Sequence, residues 1–222
     1  MPTDFEGLLE GFYQEILQDG SICIDVGAHR GRHTIPMSRR IGAQGHVYAF
    51  EPLQVMAEKL RQTLAEERIA NVSVQALALG QKDETAEFVI AVDALEYSGL
   101  KERIFDSETR VERTKVEVRR LDDVIDNSLP VRYIKIDTEG GEWGVLRGAE
   151  RILRKWRPFI SFEFGANSYA AYNVDPLAVH AFLTGIGYQV MDINRTPLGA
   201  TEFAESSRRQ EVWDYLAVPE MD

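Results

Sequence analysis

The chain has 222 residues and a formal net charge of −11. That length buries a full core, and one domain over 1–222 is the expectation. The acidic balance argues against nucleic acid or an anionic membrane as the main partner, because phosphate binding needs a basic footprint.

The chain opens with Phe5, Leu8, Leu9, Phe12, Ile16 and Leu17 at helical spacing, so an amphipathic helix is expected over 4–18, ended by Gly20. Its first residues are acidic where a signal peptide is basic. No apolar run in the chain approaches the roughly 18 residues that span a bilayer. Ser21–Val26 is short and apolar enough for a strand buried on both faces. It holds Cys23, the lone cysteine, which excludes an internal disulfide, fits a cytoplasmic setting and reads as an inert core residue. Residues 32–41 look helical and are broken by Gly42 and Gly45, and His46–Phe50 is the next strand. A helix is expected from Pro52 to about Arg68. Val72–Ala78 alternates and is a third strand; Glu87–Val92 is a fourth, added at an edge or returning antiparallel. Residues 93–114 are charged and rich in turn formers, the composition of a functional loop or lid.

Lys115–Val118 then reads as a strand, and Leu121-Asp122-Asp123-Val124 opens a short helix. Val131–Ile136 is another apolar strand, closing at Asp137. A helix is expected from about Glu142 through Leu153, and a strand over Pro158–Phe164. Asp175–Thr184 is a helix entered through Pro176; Tyr188–Ile193 and Val212–Val218 are the last strands, with a loop between them. Strands alternating with helices imply an α/β fold, a mostly parallel sheet with helices on both faces. Ligands of such sheets bind at the carboxyl ends of the strands, where Asp25, Glu51, Asp137 and Glu163 all fall.

Two segments carry the chemistry. Asp25-Val26-Gly27-Ala28-His29-Arg30-Gly31 is a strand-to-helix turn, and Ala49-Phe50-Glu51-Pro52 ends the next strand in an acid. Glycines let backbone N–H groups approach a nucleoside ligand, and the carboxylate accepts two ribose hydroxyls. The two glycines stand four apart and lack the closer pair of the dinucleotide fingerprint, so a cofactor with an amino-acid tail fits better than a pyrophosphate. The second segment runs from Ile134-Lys135-Ile136-Asp137 through Thr138-Glu139-Gly140-Gly141-Glu142 to Val145-Leu146-Arg147-Gly148-Ala149. Asp137 and Glu139 crowd one strand end and repel unless something cationic occupies the site. Glu142 falls in the first turn of a helix, where capping alone accounts for it. His29 and His33 stand four apart like a helical metal pair, but His29 precedes the helix and no third ligand is near in sequence.

These segments resemble the paired signatures of the FkbM-type family of S-adenosylmethionine-dependent methyltransferases. That family's first motif runs like Asp-Val-Gly-Ala-Asn-x-Gly and leads to Phe-Glu-Pro; its later one runs like Ile-Lys-Ile-Asp-x-Glu-Gly-x-Glu. Arg157-Pro158 and Glu163 also match, so the resemblance spans about residues 20–165. It implies a Rossmann-like class I methyltransferase fold with a seven-stranded sheet, acting mostly on hydroxyls, often of sugars or natural products. It carries cofactor roles onto Asp25, Gly27, Ala28, Gly31 and Glu51, and places the backbone of Ala76 and Leu77 beside the adenine. The chain departs from the family at His29, where Asn is usual; a neutral imidazole still hydrogen-bonds the methionine end of the cofactor, or it serves the acceptor.

A hydroxyl is a weak nucleophile, so a positioned base is expected. The candidates are Asp137, Glu139, Glu163 and His29. A magnesium or manganese ion on Asp137 and Glu139 is the other route to activating the hydroxyl. The leading reading is an O-methyltransferase of a small-molecule acceptor, a glycoside or natural product. A nicotinamide-dependent oxidoreductase and a non-catalytic cofactor-binding module are the alternatives.

Overall fold

The computed structural model of the protein describes residues 4–105 and 108–220. Residues 106 and 107 of the expected lid lie outside them. In chain order the elements are α1 (Phe5–Ile16), β1 (Ile22–Val26), α2 (Thr34–Ile41), β2 (His46–Phe50), α3 (Gln54–Glu66), β3 (Val72–Gln75), β4 (Ala78–Leu79), β5 (Glu84–Ala91), β6 (Val111–Arg119), α4 (Leu121–Val124) and β7 (Val131–Ile136). Then follow α5 (Glu142–Gly148), α6 (Glu150–Trp156), β8 (Phe159–Glu163), α7 (Ala166–Tyr169), α8 (Pro176–Gly185), β9 (Tyr188–Asp192), α9 (Ala200–Arg209) and β10 (Asp214–Pro219).

Seven strands form one sheet in the order β3-β2-β1-β7-β8-β10-β9. All its pairings are parallel except those of β10, which runs antiparallel to β8 and β9. Consecutive residues of β1 and of β7 are buried, so both faces of the sheet are covered. Ile24, Ile134 and Ile160 stand side by side across β1, β7 and β8, each with no exposed surface. Burying each is worth about 1.5–3 kcal/mol. The sheet grows outward from β1 through β2 to β3, then resumes on the other side of β1 at β7. That reversal opens a crevice at the carboxyl ends of β1 and β7.

Several expectations change in detail. The third strand stops at Gln75, and Ala78–Leu79 leaves it to pair with β6. With β5 these two make a separate three-stranded sheet, β4-β6-β5. The strand expected at 87–92 is its longer antiparallel member β5, and the first four residues of β6 take up the end of the expected 93–114 lid. Leu53, Met56, Ala78, Phe88, Val116 and Val118 form the small core that joins this sheet to α3. The helix expected from Pro52 begins at Gln54, and the one from Glu142 breaks in two at Ala149. The connection before the last strand is not all loop, because α9 occupies Ala200–Arg209 and buries Phe203 and Ala204. No helix among the described residues is long and apolar enough to cross a membrane.

Candidate active site

The crevice holds a cavity of about 1000 Å³, counting its open mouth. Asp25, Gly27, Ala28, His29, Glu51, Leu77, Asp137 and Glu139 of the expected site residues all line it. Two do not. Gly31 packs beneath the turn, where a Cβ would meet the Leu60 side chain 2.5 Å away. Ala76 lies half-buried outside the lining, since the chain turns between β3 and β4 and presents Leu77, Ala78 and Leu79 instead. Glu163 stands behind the lining, in contact with the Asp137 and Glu139 carboxylates: one oxygen of each of the three lies within 4.8 Å of the others.

The glycine turn explains why β1 and β7 can meet here. Gly27 has φ +82°, and a Cβ on it would overlap the carbonyl oxygen of Asp137. His29 lies two residues on with φ +46°, a left-handed conformation uncommon outside glycine in which His, Asn and Asp are the enriched side chains. Its backbone N–H donates to Glu51 Oε2 at 2.9 Å, and the Leu53 N–H donates to Oε1 at 2.9 Å. Two backbone donors therefore fix the Glu51 carboxylate on the cavity wall. Burial pushes that carboxyl up to about 7 against those hydrogen bonds.

Asp25 is buried and accepts from Thr34 Oγ1 at 2.5 Å through Oδ2. Its Oδ1 has no hydrogen-bond partner among the described residues, and neither has His29 Nε2; both atoms are buried. His33 is held elsewhere, with Nδ1 3.3 Å from Tyr13 Oη and Nε2 2.7 Å from Glu6 Oε2, so α1 closes over this end of the cavity and no His29–His33 metal pair forms.

Lys135, between the two signature acids, was not among the expected site residues. It pairs in register with Asp25 across β1 and β7. Its Nζ lies 3.1 Å from Asp137 Oδ2 and 3.9 Å from Asp25 Oδ1. Burial alone would lower its pKa, but the two carboxylates outweigh that and hold it charged. A lone lysine inside an apolar strand is the sequence signal for such a site, because burying an unpaired ammonium is costly. Arg103 is the second unforeseen cation. It pairs with Glu139, both side chains being under a tenth exposed, and its guanidinium stacks on the Tyr97 ring at 4.5 Å. Nothing in the irregular sequence around Arg103 marks it.

These cations divide the acids. Burial pushes Asp137 up, yet the Lys135 charge and its hydrogen bonds prevail, so Asp137 sits below the usual carboxylate range. Its side chain is 37% exposed, open to the cavity. Glu139 is driven up to about 8 by burial and by Asp137, with Arg103 opposing. Burial, then Asp137 and Glu139, pushes Glu163 up strongly. Asp214, opposite Glu163 in the register of β8 and β10, is raised to about 7 by burial. Glu142 caps its own turn: Oε1 accepts from the N–H of Thr138 and Gly140 and from Thr138 Oγ1. Lys135 thus holds Asp137 ionised on the cavity, while burial and the neighbouring carboxylates favour the protonated forms of Glu139 and Glu163, with the Arg103 contact opposing at Glu139.

The methyltransferase FkbM domain family model matches residues 25–190. The chain belongs to the FkbM family of S-adenosylmethionine-dependent methyltransferases. Solved structures agree on the fold. A methyltransferase FkbM from Methylobacillus flagellatus KT superposes with a TM-score of 0.56 at 14% identity, covering 98% of this chain and 56% of that one. A putative rRNA methylase from Clostridium thermocellum gives 0.56 at 12% identity, covering 100% and 99%. SMU.1697c, a putative methyltransferase from Streptococcus mutans in complex with SAH, gives 0.55 at 15%, covering 98% of each. No curated protein matches the chain.

Proposed function

We propose that this methyltransferase transfers a methyl group from S-adenosylmethionine to a hydroxyl of a small-molecule acceptor, a sugar derivative or related natural product, within a single domain spanning 1–222. The observation that carries the reading is the pair of orphaned atoms, Asp25 Oδ1 and His29 Nε2, on one cavity with the anchored Glu51 carboxylate. Glu51 suits two ribose hydroxyls. An ammonium donor suits Asp25 Oδ1, and an amino-acid tail brings one. Leu77, Leu79 and Phe88 give the base an apolar wall. The likeness to a structure solved with SAH favours the same cofactor.

When bound, S-adenosylmethionine supplies a methyl group activated by its sulfonium. The chain contributes alignment, dryness and a proton acceptor. Asp137 takes the acceptor's hydroxyl proton on Oδ1, the oxygen turned from Lys135. Lys135 keeps that carboxylate ionised. Arg103 fixes Glu139 beside it, and protonated Glu163 hydrogen-bonds Asp137 from behind. Asp137, Glu139 and Glu163 also have the spacing for a divalent cation. Lys135 and Arg103 already pair with Asp137 and Glu139, so this reading uses no ion, and EDTA is expected to leave turnover unchanged. The net charge of −11 favours a small acceptor over an RNA.

The test is transfer of labelled methyl from S-adenosylmethionine to a panel of acceptors, glycosides first, with NAD binding measured alongside. Tighter binding of NAD than of S-adenosylmethionine would return the oxidoreductase reading. Loss of label transfer in the presence of EDTA, restored by magnesium, would return the metal route.

A further inference from the structure

His29 stands at a position where backbone and ring are both constrained. Its φ of +46° and its N–H bond to Glu51 fix the backbone. The residue lines the cavity, and its Nε2 is buried and without a hydrogen-bond partner among the described residues. The other orphan on that cavity, Asp25 Oδ1, can only accept a hydrogen bond while ionised. An imidazole differs in that it can donate, and once protonated it donates from both nitrogens. A zwitterionic amino-acid tail matches this pair: its ammonium answers Asp25, and its carboxylate answers His29.

We propose that His29 reads the carboxylate of the cofactor's amino-acid tail and takes up a solvent proton as it does so. The inference rests on the cofactor reading above and adds to it a proton linkage that Asn at this position cannot supply. The charges facing His29 come from several elements. Arg30 adjoins it, Glu96 comes from the segment after β5, and Asp137 and Lys135 come from β7. Glu6 and His33 stand on the same cavity wall. In the free protein burial, and then Arg30, hold the imidazole below its usual value, with Glu96 and Asp137 opposing. An incoming carboxylate raises it. A group whose pKa rises on binding favours the complex at low pH, and that advantage is lost as pH climbs through the bound-state value.

The probes are S-adenosylhomocysteine and 5′-methylthioadenosine, which shares the adenosine and thioether but has no amino-acid tail. Their affinities are measured by calorimetry from pH 5.5 to 8, in two buffers of different ionisation heat. Glu51 contacts only the part common to both, so its titration cancels in their ratio. The preference for S-adenosylhomocysteine is expected to fall about tenfold across that range, with extra proton uptake for that ligand alone. In His29→Asn, which tolerates positive φ, the ratio should be flat and binding of 5′-methylthioadenosine unchanged. Nitrogen NMR of the His29 ring reads its protonation directly and separates it from His33. A flat ratio in the parent protein, or the same slope in His29→Asn, overturns the inference while leaving the cofactor reading standing. Failure of the parent protein to bind either nucleoside overturns both.

Discussion

Glu51 is a carboxylate prepared for a ligand. Two backbone N–H groups hold it in place, while burial keeps it up at about 7. Hydroxyl donors from a ribose favour the ionised form, so binding releases protons. The affinity for S-adenosylmethionine contributed by this residue should therefore rise with pH and level off above about 7, the sign opposite to that of His29. Glu51→Ala removes both hydroxyl acceptors and leaves two backbone donors unpaired. About 2–4 kcal/mol of cofactor binding should go, a loss of roughly 30- to 1000-fold by calorimetry. A loss under threefold would place the ribose elsewhere. This acid was legible in the sequence because an apolar strand delivers it. Its backbone partners were not, since the His29 N–H reaches it only through a left-handed turn that no residue pattern announces.

At the scale of elements, β7 and the segment after β5 build the reacting end together. The sequence placed Asp137 and Glu139 at one strand tip and anticipated repulsion between them. Lys135 pairs with Asp137 and Arg103 with Glu139, so each acid has its own cation. Asp137→Asn therefore leaves Lys135 with only Asp25 at 3.9 Å, and should lower the melting temperature as well as turnover by about 100-fold or more. Glu163→Gln removes a proton-bearing acid that no cation pairs among the described residues; its melting temperature should hold or rise, which a thermal scan of both variants decides. Arg103 is also one of the ties of residues 95–105, beside the paired Val89–Gly99 backbone bonds, Lys101 N–H to Tyr172 Oη at 3.0 Å and Ile104 N–H to the Asn167 carbonyl at 2.9 Å. Arg103→Met should raise hydrogen exchange in that segment and leave β1 and β7 unchanged. Equal protection in the variant would deny Arg103 this role. Strands β1, β2 and β7 were readable because each is a short apolar run ended by turn chemistry. The β4-β6-β5 sheet was less so, because its parallel pair joins segments far apart in sequence. Helix α9 was hidden because its few apolar positions, Phe203 and Ala204, lie among Glu, Ser and Arg behind Pro197 and Gly199.

For the molecule as a whole, the acids gathered at the strand ends make folding depend on pH in an unusual direction. Glu51, Glu142 and Asp214 are raised to about 7 and Glu139 to about 8, in each case mainly by burial. Unfolded, such carboxyls titrate near 4, so between about pH 4 and 8 the folded chain holds more protons than the unfolded one. Stability then falls as pH rises, by about 1.4 kcal/mol per pH unit for each proton in excess. Below that window the opposite group acts. Asp137 is depressed by Lys135 and Glu6 by His33, and both lose their pairings on protonation. The stability maximum should therefore lie at about pH 4–5, at the acid edge of that window. For a chain of this size 1 kcal/mol moves the midpoint by about 2–4 °C, so the melting temperature at pH 5.5 should exceed that at pH 8 by at least about 5 °C, in one calorimetric transition if 1–222 is a single domain. Saturating 5′-methylthioadenosine, which has the ribose but no carboxylate for His29, ionises Glu51 in the complex and removes its share, so the gap should narrow when that ligand is bound. A melting temperature that is flat or rises from pH 5.5 to 8 would mean that these carboxyls are ionised in the folded protein, and that its strand-end acids are more open to water than their burial implies.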